Sequence, residues 1–269
     1  MTQRHPFQAL SIVGPDAVKT LQGQMTCDVQ SLAVGDTTPG LLCDIRGRVQ
    51  IIGWVHKVSQ TELWLVTHSS AIDAAQARLR PYLAFSKSKA TVLPLEHWVA
   101  TQSRDRDLGG ARLELGFATL TDASSIHVDQ PLDAESLAKA QLEAGVPELD
   151  NETRAQYTPQ ALSLDQSGFI SFTKGCYMGQ EIIARLHYKG QSKQTLVLLQ
   201  RAAGAVVKDG QIIFDTKEAK VGQIISGAVS GTDHFLACVN KSALAPTLEL
   251  EPADWIVVKH FSPLGIQAH

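Results

Sequence analysis

The last third of the chain constrains its fold most, because short runs of β-branched and aromatic residues recur there between turn residues. Such runs predict strands. The predicted strands are residues 195–199, 205–207, 211–214, 221–225, 235–239 and 255–258. Short strands at this spacing are typical of a small barrel or sandwich. We therefore predict a small C-terminal β-barrel over residues 191–269, with its boundary near residues 189–191.

The first part of the chain combines both kinds of secondary structure. Pro15 and Asp16 suit the start of a helix, and apolar spacing predicts helices over residues 17–21 and 72–83. Strands are predicted at residues 41–44, 49–55 and 63–66, the first two joined by a turn at residues 45–48. This mixture predicts an α+β domain.

Residues 91–145 repeat this order weakly. Predicted strands at residues 91–95, 111–115 and 125–128 precede a predicted helix at residues 131–143. The echo suggests a pseudo-repeat of two α+β subdomains. Residues 146–172 are rich in turn residues and predict a loop, and loops this long usually carry function.

Composition narrows the class of protein. The chain has 269 residues, of which 44% are hydrophobic and 19% are charged, so it can bury a sizeable core. A net charge of -3 argues against a broad basic surface, and we expect no strong direct binding to nucleic acid. The sequence has no apolar run of about 18 residues and no signal-peptide core. We therefore expect a cytoplasmic protein with no membrane partner.

The four cysteines are far apart and form no CxxC pair, and the histidines form no HExxH motif. We therefore predict no metal site and free thiols in a reducing cytosol. Cys27, Cys43 and Cys238 lie within apolar patterns, which predicts that they are buried.

The most unusual segment is residues 172–190 (FTKGCYMGQEIIARLHYKG). Gly175 and Gly179 flank its cysteine and give the backbone conformational freedom. The element that follows is a short helix or strand; if it is a helix, its positive end and Lys174 would lower the pKa of Cys176. Most free cysteines are small buried hydrophobes, so spacing alone favours that role for Cys176 over a reactive one.

Residues 174–181 (KGCYMGQE) resemble the K-G-C-[aromatic]-x-G-Q-E signature of the YgfZ family, non-catalytic relatives of the glycine-cleavage T-protein. Further resemblances, in the same order as in the family, lie in residues 14–29, 43–48, 143–147 and 157–164, the last with serine where asparagine is usual. The resemblance therefore extends along the whole chain.

This resemblance implies a T-protein-like clover-leaf, in which two α+β subdomains within residues 1–190 surround a central opening and a C-terminal barrel completes the fold. It implies that tetrahydrofolate, or a derivative, binds in that opening. It also implies an accessory role in the maturation or repair of iron–sulfur enzymes and in tRNA thiolation, with iron–sulfur enzymes or assembly proteins as transient partners.

T-protein relatives carry aspartates on the strand after residues 46–48, where this chain has Ile51 and Ile52. Because isoleucine cannot transfer a proton, the resemblance implies a protein without T-protein catalysis. A folate-dependent aminomethyl transferase remains the alternative function. A thiol hydrolase would need a base beside Cys176, and His187 is the nearest histidine in sequence.

The resemblance also suggests site residues. Cys176 is the candidate working residue. Glu143 matches a glutamate that contacts the pterin ring, and a carboxylate suits that edge because it accepts two adjacent N–H groups. The cofactor-binding candidates are Glu143, Phe7, Lys174, Gln180 and Arg185. Folate-binding members have tryptophans near Phe7 and Leu137; phenylalanine can still stack on a ring, whereas leucine offers only apolar contact.

Overall fold

The computed structural model describes residues 5–102, 112–124, 128, 131–201, 207–215, 217–227, 233–244, 250–251 and 255–261. Within these residues, three antiparallel sheets and four α-helices make up most of the regular structure. The mixture of strands and helices confirms the α+β class expected from the sequence.

The first sheet has five strands: β1 (Phe7–Val13), β2 (Thr37–Cys43), β3 (Val49–Lys57), β4 (Glu62–His68) and β5 (Lys89–Pro94). Their order is β2-β3-β4-β1-β5. The predicted turn joins β2 to β3: the Asp44 carboxylate accepts hydrogen bonds from the backbone N–H groups of Arg46 and Arg48, each at 2.9 Å. Gly47 adopts a φ of +70° there, a conformation that favours glycine.

Helices α1 (Ala17–Gln22) and α2 (Ile72–Leu83) cover one face of this sheet, as their apolar spacing predicts. Along β3, Ile51 and Val55 pack with the helices. Ile52 and Trp54 belong instead to a central core on the opposite face. This alternation follows from the two-residue period of a strand, and it leaves the second face free to build a site.

The second sheet is small and has the order β6-β8-β7. Its strands are β6 (Trp98–Thr101), β7 (Arg112–Glu114) and β8 (Thr119–Asp122), and helix α3 (Ala134–Glu143) follows. Asp133 caps α3 by accepting a hydrogen bond from the backbone N–H of Ser136 at 2.7 Å. Leu137 and Leu142 are buried on the inner side of the helix.

The predicted strand at residues 91–95 does not belong to this second unit. It forms β5, which pairs with β1 in the first sheet. The physical reason is that Ala90 and Val92 pack against the core beneath the helices. The spacing did not predict β6 or β8, and the strand predicted at residues 125–128 lies mostly outside the described residues.

Residues 144–179 contain no helix or strand, which confirms the loop predicted over residues 146–172. The segment is nevertheless packed inside the protein. The backbone N–H of Val49 donates to the carbonyl of Tyr157 at 2.8 Å, and that of Ser171 donates to the carbonyl of Thr26 at 2.9 Å. These bonds fix the loop against the first sheet. Helix α4 (Gln180–Lys189) follows, which settles the open choice between helix and strand.

The last sheet contains β9 (Gln194–Arg201), β10 (Ile212–Asp215), β11 (Lys220–Gly227), β12 (His234–Asn240), β13 (Leu250–Glu251) and β14 (Trp255–Phe261). Their order is β13-β10-β11-β12-β9-β14. A closed barrel requires its first and last strands to pair, and no such pairing occurs among the described residues. The described strands thus form an open six-stranded sheet rather than the barrel that we expected. Of the strand predicted at residues 205–207, only Val207 is described, and it lies outside the sheet.

This sheet has two apolar faces. Val197 and Ala237 pack in a core of its own, on one side. Leu196, Leu236 and Cys238 join the central core that also contains Trp54, on the other side. The last sheet therefore contributes directly to the centre of the molecule.

No helix in the described part of the chain combines the length and the apolar character needed to cross a membrane. The longest described helix, α2, has 12 residues.

Candidate functional site

Trp54 lies at the centre of an aromatic cluster on the inner face of the first sheet. Its ring makes edge contacts with Phe7, Phe117 and Phe169, with centroids 5.9, 5.7 and 6.0 Å apart respectively. These rings come from β1, from the turn before β8 and from the long loop. Three separate parts of the chain therefore meet at one tryptophan.

Trp54 borders two cavities, which together with its ring we call the Trp54 cleft. The narrower cavity has room for about 20 Å³ and is lined by residues that include Phe7, Ile52, His68, Gln141 and Glu148. The wider cavity has about 150 Å³ and is lined by residues that include Pro39, Glu114, Phe117, Ala144 and Phe169. The smaller volume suits a single water molecule.

The resemblance aligns two family tryptophans with Phe7 and Leu137, and only the first of these positions reaches a cavity. Phe7 is 3% exposed and lines the narrower cavity, so a ring is available there. Leu137 is 2% exposed and packs in the central core, and it lines neither cavity among the described residues. Trp54 supplies the large aromatic surface of the cleft instead. The alternation along β3 carries the signal for it, because Trp54 is two residues from Ile52 and shares its face.

Ile51 and Ile52, which the resemblance aligns with the T-protein aspartates, face different sides of the sheet. Ile51 packs against the helices, and Ile52 packs with Trp54 at the cleft. Neither side chain can take up or release a proton. The chemistry at this point of the cleft is therefore limited to apolar contact.

Glu143 is the last residue of α3, and its side chain is 57% exposed. Its carboxylate lies 3.9 Å from the ammonium of Lys139, one helical turn earlier. The side chain is not part of the described lining of either cavity, although the next residue, Ala144, lines the wider one. A surface ion pair of this kind is weak and leaves the carboxylate free to move.

Glu148 is a site residue that the sequence analysis missed. Its carboxylate lies 2.8 Å from His68 Nδ1 and accepts a 2.7 Å hydrogen bond from Ser70 Oγ. Burial disfavours the charged form, but the hydrogen bonds and charge of His68, together with the bond from Ser70, hold the pKa of Glu148 below its usual range. The signal available in the sequence was its place directly after residues 143–147.

Lys174 is buried, and its ammonium is fully occupied. It donates to the carbonyl oxygens of Gln22, Met25 and Cys27 at 2.6, 2.7 and 2.8 Å. An ammonium has three donors, so none remains for a folate carboxylate. Lys174 instead ties the Cys176 loop to the chain at the end of α1.

Cys176 is exposed, whereas Cys27, Cys43 and Cys238 are buried as predicted. Burial raises the pKa of Cys27 and of Cys238 to about 12, so both stay protonated. The neighbouring Gly175 also faces open space. Of the four thiols, Cys176 is thus the one that a partner molecule can reach.

Helix α4 carries the remaining predicted residues. Gln180 is half-buried at its first position and Arg185 is exposed. His187 stacks on Phe172, with ring centroids 3.7 Å apart, and no hydrogen bond joins it to Cys176 in the described structure. Lys174, Cys176, Gln180 and Arg185 do not line the Trp54 cleft among the described residues. The structure therefore contains two candidate regions, the cleft and the Cys176 loop.

Comparisons with known proteins identify relatives of this chain. No family model matches the chain. An uncharacterised protein of Haemophilus influenzae is 32% identical over 201 residues, covering 72% of this chain and 71% of that protein. The tRNA-modifying protein YgfZ of Pectobacterium carotovorum is 30% identical over 261 residues, covering 79% and 72%. That of Colwellia psychrerythraea is 27% identical over 303 residues, covering 97% and 92%.

A solved structure agrees with this result at the level of the fold. The glycine cleavage system aminomethyltransferase T of Bartonella henselae matches with a TM-score of 0.64 and 15% identity, covering 93% of this chain and 80% of that one. An identity this low supports a shared fold alone. The sequence relatives carry the assignment further: the chain belongs to the YgfZ family.

Proposed function

We propose that the protein binds tetrahydrofolate, or a derivative, in the Trp54 cleft and acts as an accessory factor for iron–sulfur enzymes, including those that thiolate tRNA. The single observation that carries this proposal is the aromatic Trp54 cleft. The cleft lies in a fold similar to that of the T-protein. Ile52 lines it at the position that the resemblance aligns with a catalytic carboxylate. Relatives named as tRNA-modifying proteins support the proposed link to tRNA modification.

The lining of the cleft fits a pterin ring chemically. Phe117 is half-buried, whereas Phe7 and Trp54 are 3% and 2% exposed, so the faces of these two rings become available for stacking only when the cleft widens. The narrower cavity is too small for a bicyclic ring, so binding requires the cleft to widen. Trp54 and Val146 line both cavities, so movement of the larger of these side chains is the route that we propose for widening the cleft. We therefore propose that folate binding is coupled to movement of Trp54.

A carboxylate is the natural partner for the amino and N–H groups of a pterin edge. Glu114 lines the wider cavity, Glu148 lines the narrower one, and Glu143 is next to the lining residue Ala144. Glu114 already accepts a hydrogen bond from Thr119 at 2.8 Å, and Glu148 accepts bonds from both His68 and Ser70, so Glu148 has the smaller remaining capacity for a ligand. We propose Glu114 and Glu143 as the two candidates for this contact.

The glutamate tail of folate carries carboxylates that need cations outside the cleft. Arg185 is exposed and remains the proposed partner, with Gln180 as a neutral hydrogen-bonding group near it on α4. Lys174 is no longer a proposed folate ligand, because its three N–H donors are bonded to backbone carbonyls.

Cys176 is the proposed working group for contact with iron–sulfur partners in the cytoplasm, where thiols stay reduced. One cysteine cannot hold a stable cluster, which normally needs four protein ligands. Contact with a cluster would therefore use thiols of the partner. The exposure of Cys176 supports this role.

The alternative, an aminomethyl transferase, needs an acid or base at the reacting amine. Ile51 and Ile52 provide none. Aminomethyl transfer to tetrahydrofolate by the purified protein would establish that alternative.

Calorimetric titration with tetrahydrofolate tests the proposal directly. We expect the wild-type protein to bind, and Trp54→Leu to bind at least about tenfold more weakly, since a stacking surface is removed. Trp64→Leu is the matched control, because Trp64 is half-buried on the neighbouring β4 and lines neither cavity in the described structure. Absence of binding to the wild type, or equal weakening by both variants, would remove folate from this cleft.

A further inference from the structure

The face of the last sheet that packs in the central core changes from apolar to polar side chains at one end. Leu196 on β9 and Cys238 on β12 pack in the central core on this face. Two residues further along each strand, on the same face, stand Gln194 and Asn240. The register pairs these two residues directly across the strands, and Gln223 on β11 pairs with Cys238. An apolar face therefore ends in three adjacent carboxamides.

These carboxamides line a cavity of about 300 Å³, which we call the amide pocket. Its described lining is Gln156, Tyr157, Gln194, Lys220, Gly222, Gln223, Cys238 and Asn240. The volume lies at the lower end of the range typical of small-molecule sites. The amide pocket shares no lining residue with the Trp54 cleft among the described residues.

Gln223 is held in a fixed orientation. Its Oε1 accepts a 2.6 Å hydrogen bond from the hydroxyl of Tyr157, and its Nε2 donates to the carbonyl of Gly210 at 3.0 Å. One N–H and one lone pair of this amide remain free. Gln223 is thus oriented by the protein and still has capacity for a ligand.

Gln194 and Asn240 have unused hydrogen-bonding capacity. Both are half-buried, and neither side chain makes a hydrogen bond within the described structure. Each amide offers two donors and two lone pairs in one plane. Half-buried amides without partners are suited to a ligand that has both donors and acceptors along a planar edge.

The charge of the amide pocket further limits the kinds of ligand that it can bind. Lys220 is exposed at its rim, and the described lining contains no carboxylate. A planar group with an amide-like edge and an attached anion would match both features. Nucleobases have such edges, and asparagine and glutamine recognise them through paired hydrogen bonds.

From this geometry we infer that the amide pocket binds a nucleotide, with Gln194, Gln223 and Asn240 on the base edge and Lys220 near the phosphate. The base belongs either to a free mononucleotide or to an unpaired nucleotide of RNA, since both present the same edge and phosphate. The inference does not depend on folate binding at the Trp54 cleft.

The test is a set of calorimetric titrations of the full chain with AMP, GMP, CMP and UMP, and with a short single-stranded RNA. We expect at least one of these probes to bind, and Asn240→Leu and Gln194→Leu to weaken that binding by about tenfold each. Gln76→Leu is the matched control, because Gln76 is exposed on α2 and does not line the amide pocket. Thermal unfolding of each variant verifies that it is folded.

Binding of a mononucleotide would assign the site to free nucleotides, and binding of the RNA alone would assign it to an RNA base. The inference is wrong if no probe binds at millimolar concentration, or if binding survives both pocket variants. Tetrahydrofolate serves as a competitor: if it displaces the bound probe from the wild type and from Trp54→Leu equally, the amide pocket is a pterin site instead.

Discussion

A Cβ atom on Gly179 would lie 2.9 Å from the Cα atom of Gly47 and 2.5 Å from the carbonyl oxygen of Asp44. Gly179 also has a φ of +82° and caps the start of α4. The turn at residues 44–48 and the Cys176 loop therefore pack through two glycines. Through this contact the turn after β2 supports the loop that presents Cys176.

We predict that Gly179→Ala destabilises the protein by about 2–4 kcal/mol, because a side chain meets both the left-handed backbone and a close neighbour. Urea unfolding measures the change. Gly168→Ala is the matched control: its φ is +78°, but the nearest atom to an added Cβ is 3.9 Å away. Equal destabilisation by the two variants would show that packing against Gly47 contributes nothing.

Local patterns in the sequence predicted much of the fold. The hairpin of β2 and β3, the helix at α2 and the long loop were all visible, because turn residues and apolar spacing act over a few positions. The strand at residues 91–95 was assigned to the wrong unit, since pairing of β5 with β1 joins residues far apart in sequence. Closure of the last sheet is likewise a long-range property, and local strand signals do not determine it.

The candidate site was harder to predict for the same reason. The motif at residues 174–181 identified the Cys176 loop. It did not predict that the Lys174 side chain turns inwards, because the carbonyl groups that it binds lie about 150 residues earlier. The Trp54 cleft depends on rings from three parts of the chain, and no local pattern brings them together. Motifs therefore located the residues, and only the structure showed which of them are neighbours.

A second prediction concerns pH. Burial, and then the charges of Asp150 and Glu148, raise the pKa of Asp209 from 3.8 to about 6. Because the folded-state pKa lies above the unfolded value, protonation of Asp209 stabilises the fold. This stabilisation is complete below about pH 4 and is lost as the pH rises through 6. We expect Asp209→Asn to exceed the wild type in unfolding free energy by about 1–2 kcal/mol at pH 7, which is less than the full pKa shift implies because solvent screens this half-buried carboxyl.

Urea unfolding of both proteins between pH 4 and pH 7 measures this effect. The difference in unfolding free energy should shrink towards zero at the acidic end, where the wild-type carboxyl is protonated. A difference that stays constant with pH would show that the pKa of Asp209 is not raised in the folded protein.

A third prediction follows from the exposure of Cys176. In the native protein, a thiol-alkylating reagent should label this cysteine and leave Cys27, Cys43 and Cys238 unmodified, since they are buried. Cys176→Ala should change the unfolding free energy by less than about 0.5 kcal/mol and leave tetrahydrofolate affinity unchanged. Under the proposed role, it should also abolish the cellular activity of the iron–sulfur enzymes that we propose the protein supports.

Mass spectrometry of labelled peptides identifies the modified cysteine, and complementation of a deletion strain measures the cellular activity. Cys238→Ala is the control for labelling, because removal of a buried thiol should not alter the modified peptide. Full complementation by Cys176→Ala would mean that the exposed thiol is not the working group.

The last prediction separates the two candidate carboxylates for the pterin ring. Glu114 already lines the wider cavity, whereas Glu143 must leave Lys139 and turn inwards. If Glu143 makes the contact, Glu143→Ala should weaken tetrahydrofolate binding by about 1–3 kcal/mol, the usual effect of leaving a buried polar group unpaired. Lys139→Ala should then leave binding unchanged or strengthen it, because it releases the carboxylate from a competing ion pair. If Glu114 makes the contact, Glu114→Gln should weaken binding by a similar amount, and both α3 variants should bind as the wild type does. Titration calorimetry of the three variants distinguishes these patterns, and normal affinity in all three would mean that neither carboxylate contacts the ligand.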